Sequence, residues 1–388
     1  MANVLTNLAA DIYKAADIVG RELVGLIPSV TINAGTQEIG IGQNVRSHFT
    51  RTVSTTAISP SMTIPEGTDQ TVDTKTLTLT KQKGVEIPWT GEDVKFVEGA
   101  GSGAGFETIY GDQIAQAMRA IANEIEVDIC TDAYLNAGNA FGTSGTTPFG
   151  SNFDEIAEVR KLLVDRGCPM DGRITMVINT AAGVKLRNLA QLQKANEAGS
   201  TQLLRQGELL DLQGIRLKES AGIQTHTKGT GTSYDVDLVA GYDAGDTIVH
   251  VDTGSGTIKA GDIITFSAGN AGEKAVVNTL VTPGSSDEDI VLNSGLSGSV
   301  ADNEDVTILD SYTANLCLHQ NAFELAIRAP ANPIGGDAAV DRMLVQDPHS
   351  GLVFEISVYK GFKKAMIMVG AVWGYKAWKP DFISILQG

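Results

Sequence analysis

Residues 106–137 read FETIYGDQIAQAMRAIANEIEVDICTDAYLNA, and this stretch decides the architecture. Ile114, Met118, Ile121, Ile125 and Ile129 recur at steps of four, three, four and four, and Val127 widens the stripe. That spacing keeps the apolar side chains on one face of an α-helix. At 1.5 Å per residue, a helix of thirty-odd residues spans roughly 45 Å. An element this long is the backbone of a domain, and its stripe needs a sheet to cover it. The spacing predicts one helix over 106–137.

Upstream, residues 99–105 read GAGSGAG, a flexible linker and a candidate hinge. They lack the Lys-Ser/Thr ending of a phosphate-cradling loop and the acidic partner of a dinucleotide fold. Before them, residues 37–90 form a ribbon rich in Thr and Ser with few large apolar side chains. Residues 74–79 and 85–89 alternate like strands, and Lys81, Gln82, Lys83 and Gly84 read as the turn between them. The ribbon is expected to be an extended two-stranded arm. It cannot build its own core and must lie on the rest of the chain or on another copy. Val4, Leu8, Ile12, Ala15, Val19 and Leu23 predict an amphipathic helix over 3–25, stopped by Gly25 and Pro28.

Downstream, 153–166 is a predicted helix with Asn152 as its cap. A short buried strand follows at 174–178, a helix begins at 180–190 after Asn179, and 207–220 reads as turn plus strand. Residues 138–222 are therefore an α+β unit. The pattern changes at His226. Six short strands separated by Gly-rich turns occupy 226–310, as in a small barrel or sandwich. This segment holds 14 Asp and Glu against 3 Lys and no Arg, a net of −11. Style on both sides marks it as an insertion, expected to fold independently. After it, Leu352, Phe354, Ile356 and Val358 alternate, and 365–373 is a continuous apolar run, a buried central strand. Residues 360–364 connect the two as a hairpin. The sheet they form is expected to pack on the 106–137 helix.

The 388 residues are 42% hydrophobic and 6% aromatic, with 43 Gly, which suits a core built largely from strands and turns. A net charge of −17 argues against a sequence-specific reader of nucleic acid. Cys130, Cys168 and Cys317 are isolated in apolar contexts and read as buried reduced thiols, consistent with synthesis in a cytoplasm. The N-terminus lacks the pattern of a signal peptide, and no stretch has the roughly 18 apolar residues of a membrane span. His48, His226, His250, His319 and His349 show no metal-site spacing, and His319 reads as a satisfied structural residue. No nucleophile elbow occurs. Asp287, Glu288 and Asp289, like Asp302, Glu304 and Asp305, read as solvated turns, because the spacing of a calcium loop is absent. No catalytic, cofactor or metal site is nominated, and the chain is read as a non-enzyme.

Four features carry a resemblance. They are the N-terminal helix with its Thr-rich arm, the long helix, the phrase NLCLHQNAFELAIRAPANP at 315–333, and the ending with Gly374, Pro380 and Asp381. Together they resemble the major capsid proteins of tailed bacteriophages, with the Hong Kong 97-type fold, in the coat-protein branch carrying an inserted β domain. The resemblance implies an α+β fold with six parts: an arm helix at 1–36, an extended β loop at 37–98, a spine-helix segment at 99–150, an axial α+β domain at 151–225, the inserted β domain at 226–310, and a return with closing strands at 311–388. It implies hexamers and pentamers tiling an icosahedral head, portal and scaffolding proteins as partners, packaged double-stranded DNA contacted non-specifically, and a place in the virion. The charged helical extension that carries a fused scaffold in some members is not among these residues, so a separate scaffold protein, or none, is expected. One branch of that family crosslinks Lys to Asn, and nothing in these residues marks such a pair. Other readings weighed on the same residues are a phage tail-tube or decoration subunit and a carbohydrate-binding adhesive protein.

Overall fold

The computed structural model describes residues 24–50, 55, 57–64, 72–99, 106–189, 192, 211–268, 270, 272–279, 288–347 and 351–388. Positions 3–23 of the expected N-terminal helix, linker residues 100–105 and residues 207–210 lie outside them.

In chain order the strands begin with β1 Thr31–Ile39, β2 Asn44–Thr50, β3 Val72–Thr78 and β4 Lys81–Thr90, then helices α1 Gly91–Gly99 and α2 Phe106–Leu135. Strand β5 Asn139–Gly142, helix α3 Asp154–Asp165, β6 Ile174–Ile178, helix α4 Thr180–Arg187, β7 Arg216–Glu219 and β8 Thr225–His226 follow. The acidic segment supplies β9 Tyr234–Val236, β10 Ile248–Asp252, β11 Ile263–Phe266, β12 Ala275–Val276, β13 Glu288–Val291 and β14 Asp305–Ile308. The chain closes with β15 Tyr312–His319, β16 Phe323–Pro330, β17 Ala339–Gln346, β18 Val353–Gly361, β19 Lys364–Ala377 and β20 Ile383–Gln387.

The α2 stripe is fully used. Ile114, Met118, Ile125 and Ile129 are completely buried, and Ile121 nearly so. They share one core with Leu325 and Ile327 of β16, Phe354 and Ile356 of β18, and Ile367, Val369 and Trp373 of β19. The same core takes in Leu316 and Leu318 of β15 and Ile383 and Ile385 of β20. These residues belong to two different sheets. One runs β1-β16-β19-β18-β17, with β4 on the other side of β19; the other runs β13-β10-β9-β14-β11-β12-β5-β20-β15-β6-β7. Helix α2 is thus the element that joins them.

Besides the passage from β4 to β5 through α1 and α2, the chain crosses between these sheets at two short turns, from β15 to β16 through the 3-10 turn Gln320–Ala322, and from β19 to β20 through Pro380–Phe382. The crossings are tied together: Trp378 N donates to the Ala322 carbonyl at 2.7 Å. Gly138, just beyond α2, donates to the carbonyls of Pro380 at 2.9 Å and Ile383 at 3.1 Å. A Cβ there would stand 2.8 Å from the Pro380 oxygen, so only glycine allows the helix end to sit against the second crossing.

Alongside its apolar stripe, α2 carries a row of carboxylates that anchor other elements. Glu126 is 2% exposed and accepts from the amides of Gly25, Leu26 and Ile27 at 2.8, 2.7 and 2.9 Å, and from the Ser220 hydroxyl at 2.7 Å. These charge-assisted bonds satisfy the buried carboxylate, and the Lys218 ammonium lies near enough to attract it. Asp128 accepts from Trp373 Nε1 at 2.9 Å and pairs with Lys81 Nζ at 2.6 Å, stitching α2 to β19 and β4. Glu124 pairs with Lys83 of β4. Burial pushes the Asp132 carboxyl up to about 6, against the opposing pull of the Ala377 amide, the Lys376 ammonium and Asn136.

Several expectations needed correction. Lys81, Gln82, Lys83 and Gly84 are not a turn; they are the start of β4 and pair with Trp373, Val372, Ala371 and Gly370 of β19. The expected arm over 37–90 is therefore split: β4 belongs to the central sheet and only β2 and β3 form a free ribbon. Pairing partners nearly 300 residues away outweigh the local turn signal. In β18 the alternation is real but both faces are covered, since Glu355 and Ser357 are as buried as Phe354 and Ile356. Arg342 of β17 bonds Glu355 at 3.1 Å, and the Ser357 hydroxyl donates to it at 2.8 Å. Asn152 does not cap α3. Phe153 stands at the cap position, and Asn152 Nδ2 donates to the Asp154 carboxylate at 2.6 Å. Asn179 does cap α4, accepting from Ala182 N at 2.8 Å. Helix α1 has a reciprocal cap between Thr90 and Asp93, a Thr-x-x-Asp signal visible in the sequence and not used. Six strands do form in 226–310 around their own cluster, which includes Val249, Val251, Ile264 and Ile290. Their sheet continues into the rest of the molecule through the pair Ala275↔Asn139.

Two outcomes follow from the carboxylates of α2. Replacing Glu126→Ala leaves three backbone amides and a hydroxyl without their acceptor, and should cost about 3 kcal/mol or more in denaturant unfolding; a loss under ~1 kcal/mol would contradict the anchor. The folded state holds the Asp132 proton more tightly than the unfolded chain. This residue's contribution to stability therefore falls as pH rises from about 4 to about 6. Asp132→Asn should flatten the urea-midpoint profile in that window and raise the midpoint above it; parallel profiles for variant and parent would refute this.

Candidate assembly surfaces

The β2–β3 ribbon pairs from Asn44↔Thr78 to Thr50↔Val72. Seven residues per strand extend it by about 23 Å. Its base is tied to the body. Leu77 and Leu79 are fully buried against Ala326 of β16 and Val372 of β19. Thr80 N donates to the Trp373 carbonyl at 3.1 Å, and Lys75 Nζ to the Trp378 carbonyl at 3.1 Å. Gly374 makes this approach possible, because a Cβ there would overlap the Thr78 carbonyl oxygen. Past the ribbon, Ile58, Met62 and Ile64 are 99%, 105% and 92% exposed. Among the described residues nothing buries these large apolar side chains.

Two further apolar tips stand out from the body. Phe362 is 93% exposed in the two-residue turn between β18 and β19, where Gly361 pairs with Lys364. Ile334 is 108% exposed in the loop between β16 and β17. A shallow groove between β4 and α2, lined in part by Ile87, Pro88, Ile109 and Ala117, adds an apolar recess.

Several residues singled out in the sequence have structural partners, while His349 lies outside the described residues. His319 is 2% exposed, with Nε2 3.1 Å from the Asp171 carboxylate and Nδ1 accepting from Asn321 N. His226 is buried 2.7 Å from Asp262 between Tyr134 and Tyr312, and His250 lies 2.8 Å from Asp289. All three cysteines are buried and free. Burial pushes the Cys130 thiol to about 12 and Cys168 to about 11, and raises Cys317 further, so none is an activated nucleophile. Glu304 corrects the expectation of a solvated turn: it is 5% exposed and accepts from the amides of Ala301 and Ala268. Asp287 lies outside the described residues. The closing motif resolves into three roles. Gly374 admits the arm, Pro380 opens the second crossing, and Asp381 binds the Ser294 hydroxyl of the acidic segment. Among the described residues there is no group of three or more His, Cys, Asp and Glu able to hold a metal, and no helix long and apolar enough to cross a membrane.

The anchoring carboxylates Glu126 and Asp128 and the exposed apolar tips were not anticipated. Glu126 and Asp128 lie beside an apolar stripe, and nothing in the local pattern sets them apart from the other polar residues of α2. Ile58, Met62 and Ile64 are apolar residues in a Thr- and Ser-rich ribbon, and that contrast was the available signal.

No family model matches the chain, and no curated protein matches it. Solved structures do. A Mycobacterium phage Che8 structure is 14% identical with a TM-score of 0.45, covering 89% of this chain and 84% of its own. The capsid of cyanophage P-SCSP1u is 12% identical with a TM-score of 0.49, covering 95% and 88%. A virus-like particle from Pyrococcus furiosus is 7% identical with a TM-score of 0.45, covering 98% and 100%. At such identities and TM-scores below 0.5, the likeness transfers no residue role to this chain.

The arm's seat generates a test. Gly374→Val should lift the ribbon base from β19, at a cost of roughly 1–3 kcal/mol. The amides of Leu79 and Thr80 should then exchange faster with solvent than in the parent. Unchanged protection there would show that glycine is not what seats the arm.

Proposed function

We propose that this chain is the coat subunit of an icosahedral shell of the phage-head type, assembling as hexamers and pentamers around double-stranded DNA. The observation that carries the reading is the β2–β3 ribbon: seated on the body at Leu77 and Leu79, it leads to Ile58, Met62 and Ile64 in full solvent. A two-stranded ribbon without a core is marginal alone. Exposed apolar side chains beyond it gain burial only from another molecule. The rigid platform of α2 against two sheets gives such an arm a fixed direction. Ring contacts of this kind are heterologous, with unlike patches meeting and rotation closing the ring.

The six-part division predicted from the sequence serves this reading. Residues 151–225 with part of 311–388 form the axial unit, α2 with β4, β18 and β19 the peripheral platform, and 226–310 an outward module whose negative charge keeps particles apart. The shell needs no catalytic centre, and the buried high-pKa thiols offer none. Residues 99–105 are the proposed hinge that adapts the arm to hexamer or pentamer curvature. Portal and scaffolding proteins are the partners such assembly calls for.

Electron microscopy of purified protein tests the proposal directly. Closed shells are expected; tubes or persistent monomers at high concentration, with and without co-expressed phage proteins, would refute it. Hydrogen exchange adds a second reading. Amides of β2 and β3 should exchange quickly in the monomer and slowly in shells, and equal protection in both states would remove the arm from assembly.

A further inference from the structure

Helix α2 holds apart two ends of unlike charge. Beside its N-terminal half lies the β18–β19 hairpin. There Trp89 Nε1 of β4 donates to Gln113 at 2.9 Å, Thr90 pairs with Lys364, and Gly91 N donates to the Lys363 carbonyl at 3.2 Å. At its C-terminus lies the acidic module, where Asn293 donates to the carbonyls of Leu135 and Ala137. From Gln113 to Leu135 the helix rises about 33 Å at 1.5 Å per residue.

The hairpin end carries Lys360, Phe362, Lys363 and Lys364, all exposed, with Phe362 at 93%. Among the described residues, none of these three lysines has an ion-pair partner. Asp93, close by on α1, is committed to its cap with Thr90. The module presents the opposite arrangement. Val239 is 91% exposed, Leu238 39%, and Ile248, which opens β10, 49%. Leu238 N donates to the Asp302 carboxylate at 3.0 Å, and Gly241 N to the Leu238 carbonyl at 2.7 Å, so this corner is a fixed turn. Asp237 and Asp243 are exposed around it, and Asp302 is half-buried. The three lysines of the module are all bound at its stem: Lys228 to Asp310, Lys259 to the carbonyls of Thr227 and Lys228, and Lys274 to the Gly142 carbonyl and Gln387. None of them pairs with the aspartates of the corner.

A phenyl ring among lysines and a Leu-Val corner among aspartates are complementary surfaces. Apolar burial supplies the stabilisation of such a contact, and charge selects the partner. Like charges disfavour hairpin on hairpin and corner on corner. We propose that the β18–β19 hairpin tip of one copy docks on the Leu238–Val239 corner of another copy, with Phe362 against Val239 and the lysines facing Asp237, Asp243 and Asp302. The contact joins unlike surfaces, so it is heterologous and repeats from copy to copy. The inference rests on the coat reading for the presence of neighbouring copies. It adds a contact in which the arm has no part, and gives the charge of the module an attractive use besides the repulsive one.

The test places Phe362→Cys and Val239→Cys in separate full-length chains, mixes them under assembly conditions and treats the mixture with a short bis-maleimide. The three native cysteines are buried. A covalent dimer with one chain of each kind, identified by mass spectrometry, should exceed the dimer from either variant alone by ~10-fold or more. Lys360→Glu with Lys363→Glu in the Phe362→Cys chain should cut the mixed dimer by roughly 10-fold, and Asp237→Lys with Asp243→Lys in the Val239→Cys chain should restore it. No mixed dimer, a yield no higher than one variant gives alone, or a yield indifferent to both charge reversals would overturn the docking. Micrographs of the same samples separate the two readings. Closed shells without the mixed dimer overturn this inference alone, and mixed dimer in samples that form only tubes or open chains overturns the coat reading alone.

Discussion

Burial of one apolar stripe against two sheets is the constraint on which the molecule depends. Ile114, Met118, Ile121, Ile125 and Ile129 occupy a single core with strands of both sheets. A hydrophobic contact is non-directional, so the stripe alone would tolerate sliding of the helix along the sheets. Direction comes from the carboxylates beside it. Glu126 fixes the incoming chain at Gly25, Leu26 and Ile27, and Asp128 fixes β19 through Trp373 and β4 through Lys81. Apolar burial supplies the stabilisation, and the buried hydrogen bonds set the register.

That register has consequences at a distance. With β19 fixed on α2, Gly374 comes to lie under the arm base, and the second crossing is brought against Ala322 and Gly138. The arm therefore leaves the body at a set place although its own strands have almost no core. Lys75 and Lys376 meet the Trp378 ring at the same junction. Arm seat, sheet crossing and cation–π contacts are products of one piece of packing.

The acidic segment is joined by a different kind of contact. Its cluster of Val249, Val251, Ile264 and Ile290 is its own. Its attachments are polar and apolar: Arg166 to Glu273, Asn293 to the carbonyls of Leu135 and Ala137, Ser294 to Asp381 and Tyr312 to Gly261, with Ile263 and Val276 joining the core around α2. A cluster of its own, joined to the body by hydrogen bonds and by Ile263 and Val276, suits a module added at the end of α2. The charge of −11 lies on this module, while the lysines of the β18–β19 hairpin lie on the platform.

Local periodicity determined much of the fold from the sequence by itself. The α2 stripe, the apolar run of β19, the start of α4 after Asn179 and the six short strands of 226–310 each follow from side chains a few residues apart. They were legible because helix and strand periods are local properties of the chain. Tertiary structure decided what depends on distant partners. Lys81 to Gly84 read as a turn until β19 paired with them. Nothing in the local pattern of α2 marks Glu126 and Asp128 as anchors until buried amides and an indole meet them, and Lys75 reaches Trp378 only because the arm folds back on β19. Pairing, burial and charge proximity are set by the three-dimensional path, and no spacing along the chain encodes them.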